Sequence, residues 1–167
     1  DYTGAGVIFG VTGGVMEAAI RTAYHTLTNE EMEPIVLSPC RGLDGVKEAT
    51  IKINGTTLNI AMASGMRHAK VLLDQIKNGT SPYDFIEIMG CPGGCINGGG
   101  QPFVKPVFLP NEEDEILDTY IQKRAAVLYK EDEKRPLRRS HLNPDIQKLY
   151  RDYLNHPLSE KAEELLH

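Results

Sequence analysis

No apolar run in this chain approaches the roughly 18 residues that would suggest a membrane span, so a membrane-embedded function is not expected. Positive charge is short as well, with 18 Lys and Arg against 23 Asp and Glu and a formal net charge of -5. A general nucleic-acid binder needs a basic surface to neutralise phosphates, and this composition argues against one. Cysteine is scarce: three residues, an odd number, with Cys91 and Cys95 close together. That is too few for a disulfide framework and suits thiols kept reduced as ligands or nucleophiles, in the cytoplasm. Neither an initiator Met nor the basic, apolar and small-residue regions of a secretory signal precede Asp1-Tyr2-Thr3-Gly4, so the chain is expected to be a segment of a longer one.

What is present is ordinary globular material: 167 residues, 41% hydrophobic and 25% charged, enough for one principal domain with an appendage. Glycines crowd the stretch from Gly4 to Gly14, which then turns into a helical pattern with Ile20, Ala23, Tyr24 and Leu27 on one face. A tight backbone loop feeding a helix N-terminus is the expectation there. Pro34 to Leu37 has strand length. Ile51 and Ile53, then Asn54-Gly55, then Leu58 and Ile60 alternate about the strongest hairpin signal in the sequence. Met66, Ala69, Leu72, Leu73 and Ile76 fit an amphipathic helix that ends near Asn78-Gly79. Phe85-Ile86-Glu87-Ile88-Met89 then reads as a buried strand.

Beyond Pro110 the chain becomes acidic and helical, over about 112–130, with Ile116, Leu117, Tyr120, Ile121 and Leu128 at helical spacing. Residues 131–140 are highly charged, contain Pro136 and read as a linker. Asn143-Pro144-Asp145 starts a helix whose stripe is Ile146, Leu149, Tyr150 and Tyr153, and after Pro157 a last helix carries Leu158, Ala162, Leu165 and Leu166. The division expected is therefore 1–130 for the body, 131–140 for the linker and 141–167 for a helical tail packed against a larger body. The fold class expected is α/β: a small, mainly parallel sheet flanked by helices, with one edge β-hairpin and a helical C-terminal tail.

The chemistry is concentrated in Met89-Gly90-Cys91-Pro92-Gly93-Gly94-Cys95-Ile96-Asn97-Gly98-Gly99-Gly100-Gln101-Pro102, at the C-terminal end of the last strand. So little side-chain volume lets the backbone approach something bulky and turn amides towards it. Thiolates at Cys91 and Cys95 are soft anionic ligands suited to iron-sulfur clusters or zinc. The Cys-x-x-x-Cys spacing differs from the common zinc knuckle, and only His25 or His68 could complete a zinc set through the fold. An inert or redox-active cysteine pair is the plain alternative, although an inert thiol has no need of so bare a loop. A phosphate cradle is disfavoured, since Gln101-Pro102-Phe103 replaces the Gly-Lys-Ser/Thr ending.

The stretch from Glu87 to Pro102 resembles the third cluster-binding signature of the iron-only (FeFe) hydrogenases. Phe9-Gly10-Val11-Thr12-Gly13-Gly14-Val15-Met16-Glu17-Ala18-Ala19 resembles the segment lining the diiron pocket in the same family. Arg41-Gly42 with Gly45-Val46-Lys47-Glu48 is a weaker similarity, and the tail from Ser140 onward resembles the C-terminal extension that some members carry as a separate small subunit. The resemblance implies a [4Fe-4S] cubane joined through a cysteine sulfur to a diiron subcluster with CO, cyanide and a bridging dithiolate. It implies that Cys91 ligates the cubane and that Cys95 ligates it and bridges to the diiron unit. Met89 would contact that unit, with Phe9, Gly10 and Val15 enclosing it, and the reaction would be reversible reduction of protons to hydrogen. The motifs that carry the other two ligands and a proton-relay cysteine are missing, so an N-terminal part or another chain must supply them. Without that part the chain is expected to be inactive. Electrons would come from a ferredoxin or other redox partner. A hydrogenase-like iron-sulfur assembly protein and a sensory relative are the alternatives.

Cys40, at the end of the Pro34 to Leu37 run, reads as a structural thiol. Glu17 lies in a first helical turn, where it complements the helix dipole. His25, His68, His141 and His156 read as structural. Lys134-Arg135 with Arg138-Arg139 reads as a solvated charged linker, or else as a basic patch that docks an acidic ferredoxin.

Overall fold

The computed structural model of the protein describes residues 1–33, 36–37, 40–42, 45–104 and 112–166. Where a tight loop is expected from Gly4 onward, the chain opens on a short helix, α1 (Gly4–Ile8), because the Thr3 side chain accepts from Gly6 N at 3.0 Å and caps it. Gly4 is required there, since a Cβ would stand 2.1 Å from the Asp132 carboxylate. A turn follows, and Gly13, at φ 91°, starts α2 (Gly14–Thr28) in a left-handed conformation open to glycine.

The predicted hairpin is present. β1 (Val46–Ile53) and β2 (Thr56–Ser64) pair antiparallel with Ile53 opposite Thr56, and Asn54 and Gly55 between them take φ 49° and 79°. Two consecutive positive φ values give a turn that matches the strand twist. Helix α3 (Met66–Lys77) then crosses to β3 (Phe85–Met89), which pairs parallel with β2 from Ile60 opposite Phe85 to Ser64 opposite Met89. The sheet among the described residues is thus mixed, in the order β1-β2-β3, with the hairpin at one edge.

Central strand β2 is buried on both faces. Ile60 and Met62 join Met16, Ile20, Met32, Cys40 and Ile53 in the core under α2. Ala61 and Ala63, pointing the other way, receive Ala69 and Leu72 of α3. That narrow alanine face leaves Met66, Leu73 and Ile76 exposed on α3, although the sequence pattern groups them with the buried stripe. Leu27, grouped with the apolar face of α2, is exposed likewise. As an edge of the described sheet, β3 buries only Glu87, while Phe85 and Ile88 are exposed rather than in a core. Of the expected strand at 34–37, Pro34 and Ile35 lie outside the described residues, and Val36 and Leu37 are in no strand.

A long helix, α4 (Glu112–Lys134), packs against α1 and carries Ile121 and Ala125 into a third cluster with Val11 and Ile96. It runs past residue 130 into the stretch expected as linker. The tail begins with a 3-10 turn (Ser140–Leu142) and α5 (Pro144–Leu149), where Asn143 caps by accepting from Asp145 N at 2.9 Å. A π turn (Tyr150–Leu154) and α6 (Glu160–Leu166) complete it. Its buried apolar residues are Leu154 and Ala162; Ile146, Leu149, Tyr153, Leu165 and Leu166 of the expected stripes are exposed. Backbone bonds tie the stretch just before the tail to the start of the chain, Gly4 N to Leu137 O at 2.9 Å and Ala5 N to Arg138 O at 3.0 Å. No helix among the described residues is long and apolar enough to cross a membrane.

Candidate functional site

The cysteine loop leaves the end of β3, where Met89 O accepts from Gly65 N at 2.8 Å. Gly93 and Gly94 have φ of 78° and 97°, and a Cβ on Gly94 would fall 2.7 Å from Gly10 O and 2.8 Å from Thr12 N. Only glycine allows that approach. It puts the loop flat on the turn between α1 and α2, fixed by Thr12 N donating to Gly93 O and Ile96 N donating to Gly10 O, both at 3.1 Å. On the other side the loop is open among the described residues: none of them lies within 4 Å of a Cβ built at Gly90, Gly99 or Gly100, and Cys91 and Cys95 are free and exposed. Cys95 begins a 3-10 turn (Cys95–Asn97) held from behind by α4, where Arg124 donates to Ile96 O at 3.1 Å and to Pro102 O at 2.8 Å.

Of the other predicted site residues, Gly10 meets the loop directly, and Met89 is half-buried at the strand end that feeds it. Phe9 is 45% exposed. Phe9 and Val15 line a hollow of about 580 Å³ along α2 with Ala18, Ala19 and Ala23, whose lining does not include Met89, Cys91 or Cys95.

Two buried charges hold the turn against which the loop rests. Glu87 accepts from Gly13 N at 2.5 Å and Met16 N at 2.6 Å, so a β3 carboxylate caps α2 in place of a local side chain. Lys47 donates to Thr12 O at 2.9 Å and to Cys40 O at 2.5 Å. Cys40 itself is fully buried, and burial, aided by Glu17 and opposed by Lys47, pushes its thiol up to about 12. A thiol so held is a poor ligand.

Glu17 does more than meet a helix dipole. Fully buried, it accepts from Arg21 Nη2 at 2.6 Å and from Arg41 Nε at 3.0 Å. Arg21 also reaches Asp132 on α4 at 3.0 and 3.1 Å, and Arg138 Nη2 closes on the same carboxylate at 2.6 Å. Burial would raise the Asp132 carboxyl, but hydrogen bonds from Arg138 and Arg21 outweigh it and hold the group below its usual range. Arg139 pairs with Glu31 and Glu33, and Arg135 with Glu131. The segment expected as a solvated basic linker is therefore consumed in ion pairs, three of its arginines being committed to carboxylates. Sequence reasoning missed Glu87, Arg21, Asp132 and Arg124 as supports. The one local hint was a charged residue inside an apolar pattern, at Glu87 and at Arg21.

Residues 1–99 match the family model described as iron only hydrogenase large subunit, C-terminal domain, and residues 118–167 match the one described as iron hydrogenase small subunit. Similar curated proteins include the NADP-reducing hydrogenase subunit HndD of Solidesulfovibrio fructosivorans, 47% identical over 99% of this chain and 26% of the relative. Iron hydrogenase 1 of Clostridium pasteurianum is 45% identical over 100% of this chain and 28% of the relative. Cytosolic iron-sulfur assembly component 3 of Rattus norvegicus is 31% identical over 95% of this chain and 31% of its own length. Among solved structures, a variant of the [FeFe]-hydrogenase HydA1 from Chlamydomonas reinhardtii superposes with a TM-score of 0.67 at 40% identity, over 94% of this chain and 44% of that one. The chain thus spans about a quarter to a third of the curated relatives it matches.

Proposed function

The chain belongs to the iron-only hydrogenase family, and from that footing we propose that it is the C-terminal half of a hydrogenase catalytic domain with its small-subunit-like tail. The division proposed is 1–130 for the catalytic part, 131–140 for the connection and 141–167 for the tail. Its reaction is the reversible reduction of protons to hydrogen, completed by an N-terminal part on the same or another chain and by a ferredoxin or other redox partner, in the cytoplasm.

The residues present fit the metal group this family implies. Two exposed thiols stand on a loop with open space at Gly90, Gly99 and Gly100, so a bulky anionic cluster can approach and be met by soft ligands. When bound, a [4Fe-4S] cubane with a diiron subcluster carrying CO, cyanide and a dithiolate supplies the electron relay and the site of proton reduction. In this reading Cys91 would hold the cubane, and Cys95 would hold it and join it to the diiron unit. Met89 would contact that unit, and Phe9, Gly10 and Val15 would help enclose it. Cys40, buried and protonated, takes no part. Arg124 turns the Ile96 carbonyl towards α4 and so fixes the backbone immediately after Cys95.

The observation that carries the reading is the pair of backbone hydrogen bonds from Thr12 N to Gly93 O and from Ile96 N to Gly10 O. They seat the loop bearing both thiols on the segment that begins with Phe9 and Gly10. An assembly protein that keeps the cysteine loop without a diiron unit has the 31% identical relative behind it. The 47% and 45% identical hydrogenases and the small-subunit match favour the enzyme.

The test uses the chain joined to its upstream part and taken through maturation, with iron content and infrared spectra as readouts. Bands from bound CO and cyanide are expected, and Cys95→Ser should lose them more completely than Cys91→Ser. Intact bands and full iron in Cys95→Ser would overturn the bridging assignment. Iron-sulfur absorption without any such bands would favour the assembly protein. The chain by itself should evolve no hydrogen from reduced methyl viologen.

A further inference from the structure

Away from the cysteine loop, three side chains from separate parts of the chain converge. His25 lies in the last turn of α2, Glu31 three residues past that helix, and His141 in the 3-10 turn that opens the tail. Glu31 Oε1 is 3.0 Å from His25 Nδ1 and 3.1 Å from His141 Nε2, and the two imidazoles stack with centroids 4.4 Å apart. A tetrahedral zinc ion with bonds of about 2.0–2.1 Å separates its ligand atoms by roughly 3.3 Å. The two nitrogen-to-oxygen separations are therefore close to those of a ligand set, and a turn of one imidazole out of the stack brings both ring nitrogens to face one ion.

Hydrogen bonding accounts for one side of the cluster, where His141 Nε2 and Glu31 Oε1 are bonded at 3.1 Å, and not for the other. His25 Nδ1 is buried and 3.0 Å from the same oxygen but out of line for a hydrogen bond, while Glu31 Oε2 is taken by the Arg139 guanidinium. A buried ring nitrogen that no hydrogen bond satisfies calls for a missing partner. The surroundings suit a cation. Arg139 Nε lies 2.6 Å from Oε2, which leaves Oε1 turned to the imidazoles, and Thr22 Oγ1 is 3.3 Å from the far nitrogen of His141. Such outer contacts are how ligands are oriented. Glu33 pairs with the same arginine at 2.8 Å, so two carboxylates face one guanidinium and the cluster is net anionic with both imidazoles neutral. A hollow of about 610 Å³ lined by Thr22, His141, Gln147 and Tyr150 gives solvent access for a water to fill the coordination.

We propose that His25 Nδ1, His141 Nε2 and Glu31 Oε1 form a site for a divalent transition metal, zinc by its ligand chemistry, that staples the tail to α2. The ion is structural, lies apart from the hydrogenase chemistry and does not depend on it. Residues 118–167 match a small-subunit model and residues 1–99 a large-subunit one, so the staple joins the two portions at a point where metal affinity becomes docking energy.

The purified chain carrying Cys91→Ser and Cys95→Ser, which removes the exposed thiols as competing ligands, is titrated with Co2+ and then with Zn2+. Saturable binding of one equivalent is expected, with visible Co2+ absorption that lacks thiolate charge transfer and is displaced by Zn2+. His25→Gln and His141→Gln should each weaken it by at least about tenfold, with far-UV circular dichroism unchanged. In the chain with its cysteines intact, added Zn2+ should move the ring proton resonances of His25 and His141 and leave those of His156 in place. Absence of saturable binding at neutral pH, binding that is indifferent to His25→Gln, or unmoved His25 and His141 resonances would each overturn the site.

Discussion

Glu87 is a carboxylate spent on a helix that it does not belong to. Its two oxygens take the Gly13 and Met16 amides, at a helix start whose glycines can offer no side-chain cap. Glu87→Ala should cost about 1–3 kcal/mol, the usual penalty for leaving buried donors unmet. Glu87→Gln keeps the shape but surrenders the charge and should fall between the two, as urea unfolding at neutral pH would measure. Equal stability of Glu87→Ala and the parent chain would contradict the cap. At this scale the sequence told little. Cys91 and Cys95 were legible because their spacing is local and their loop is bare, whereas Glu87 and its partners lie more than seventy positions apart. Arg21 and Asp132 are separated by still more, and no periodicity connects such residues.

Among the elements, the hairpin was readable to the residue because Asn54-Gly55 must bend where it does. The extent of α3 was readable too, but not its buried face, because the alanine surface of β2 accepts only Ala69 and Leu72. The cysteine loop depends on its neighbours for shape. Gly94→Ala would place a methyl on the Gly10 carbonyl and force a left-handed alanine at φ 97°, so both bonds to the 10–12 segment should be lost. Faster amide exchange at Thr12 and Ile96, with β1 and β2 unchanged, is the expected reading. Protection equal to that of the parent chain would show that the loop is held by something else.

Across the whole molecule, Asp132 ties α4 and the stretch leading into the tail to α2 through Arg21 and Arg138. Its carboxyl sits below its ordinary 3.8 when folded, so between those two values the unfolded chain binds more protons than the folded one. The stability it contributes is whole above the ordinary value and drains away as pH falls through the depressed one. Asp132→Asn leaves Arg21 and Arg138 short of a buried counter-charge and should cost about 3 kcal/mol or more at pH 7. The variant should then lose less than the parent on going to pH 3, and parallel losses in urea midpoint would argue against the linkage. The same bonds bear on how the protein comes into being. Helix α1 meets α2 early, but much of its covering comes from α4 and from residues 137 and 138, more than a hundred positions later. During synthesis from the N-terminus the side of α1 that α4 covers must wait until that stretch has left the ribosome. Closure of this ring is a late and long-range step, and the nascent chain stays open to chaperones and to wrong partners until then.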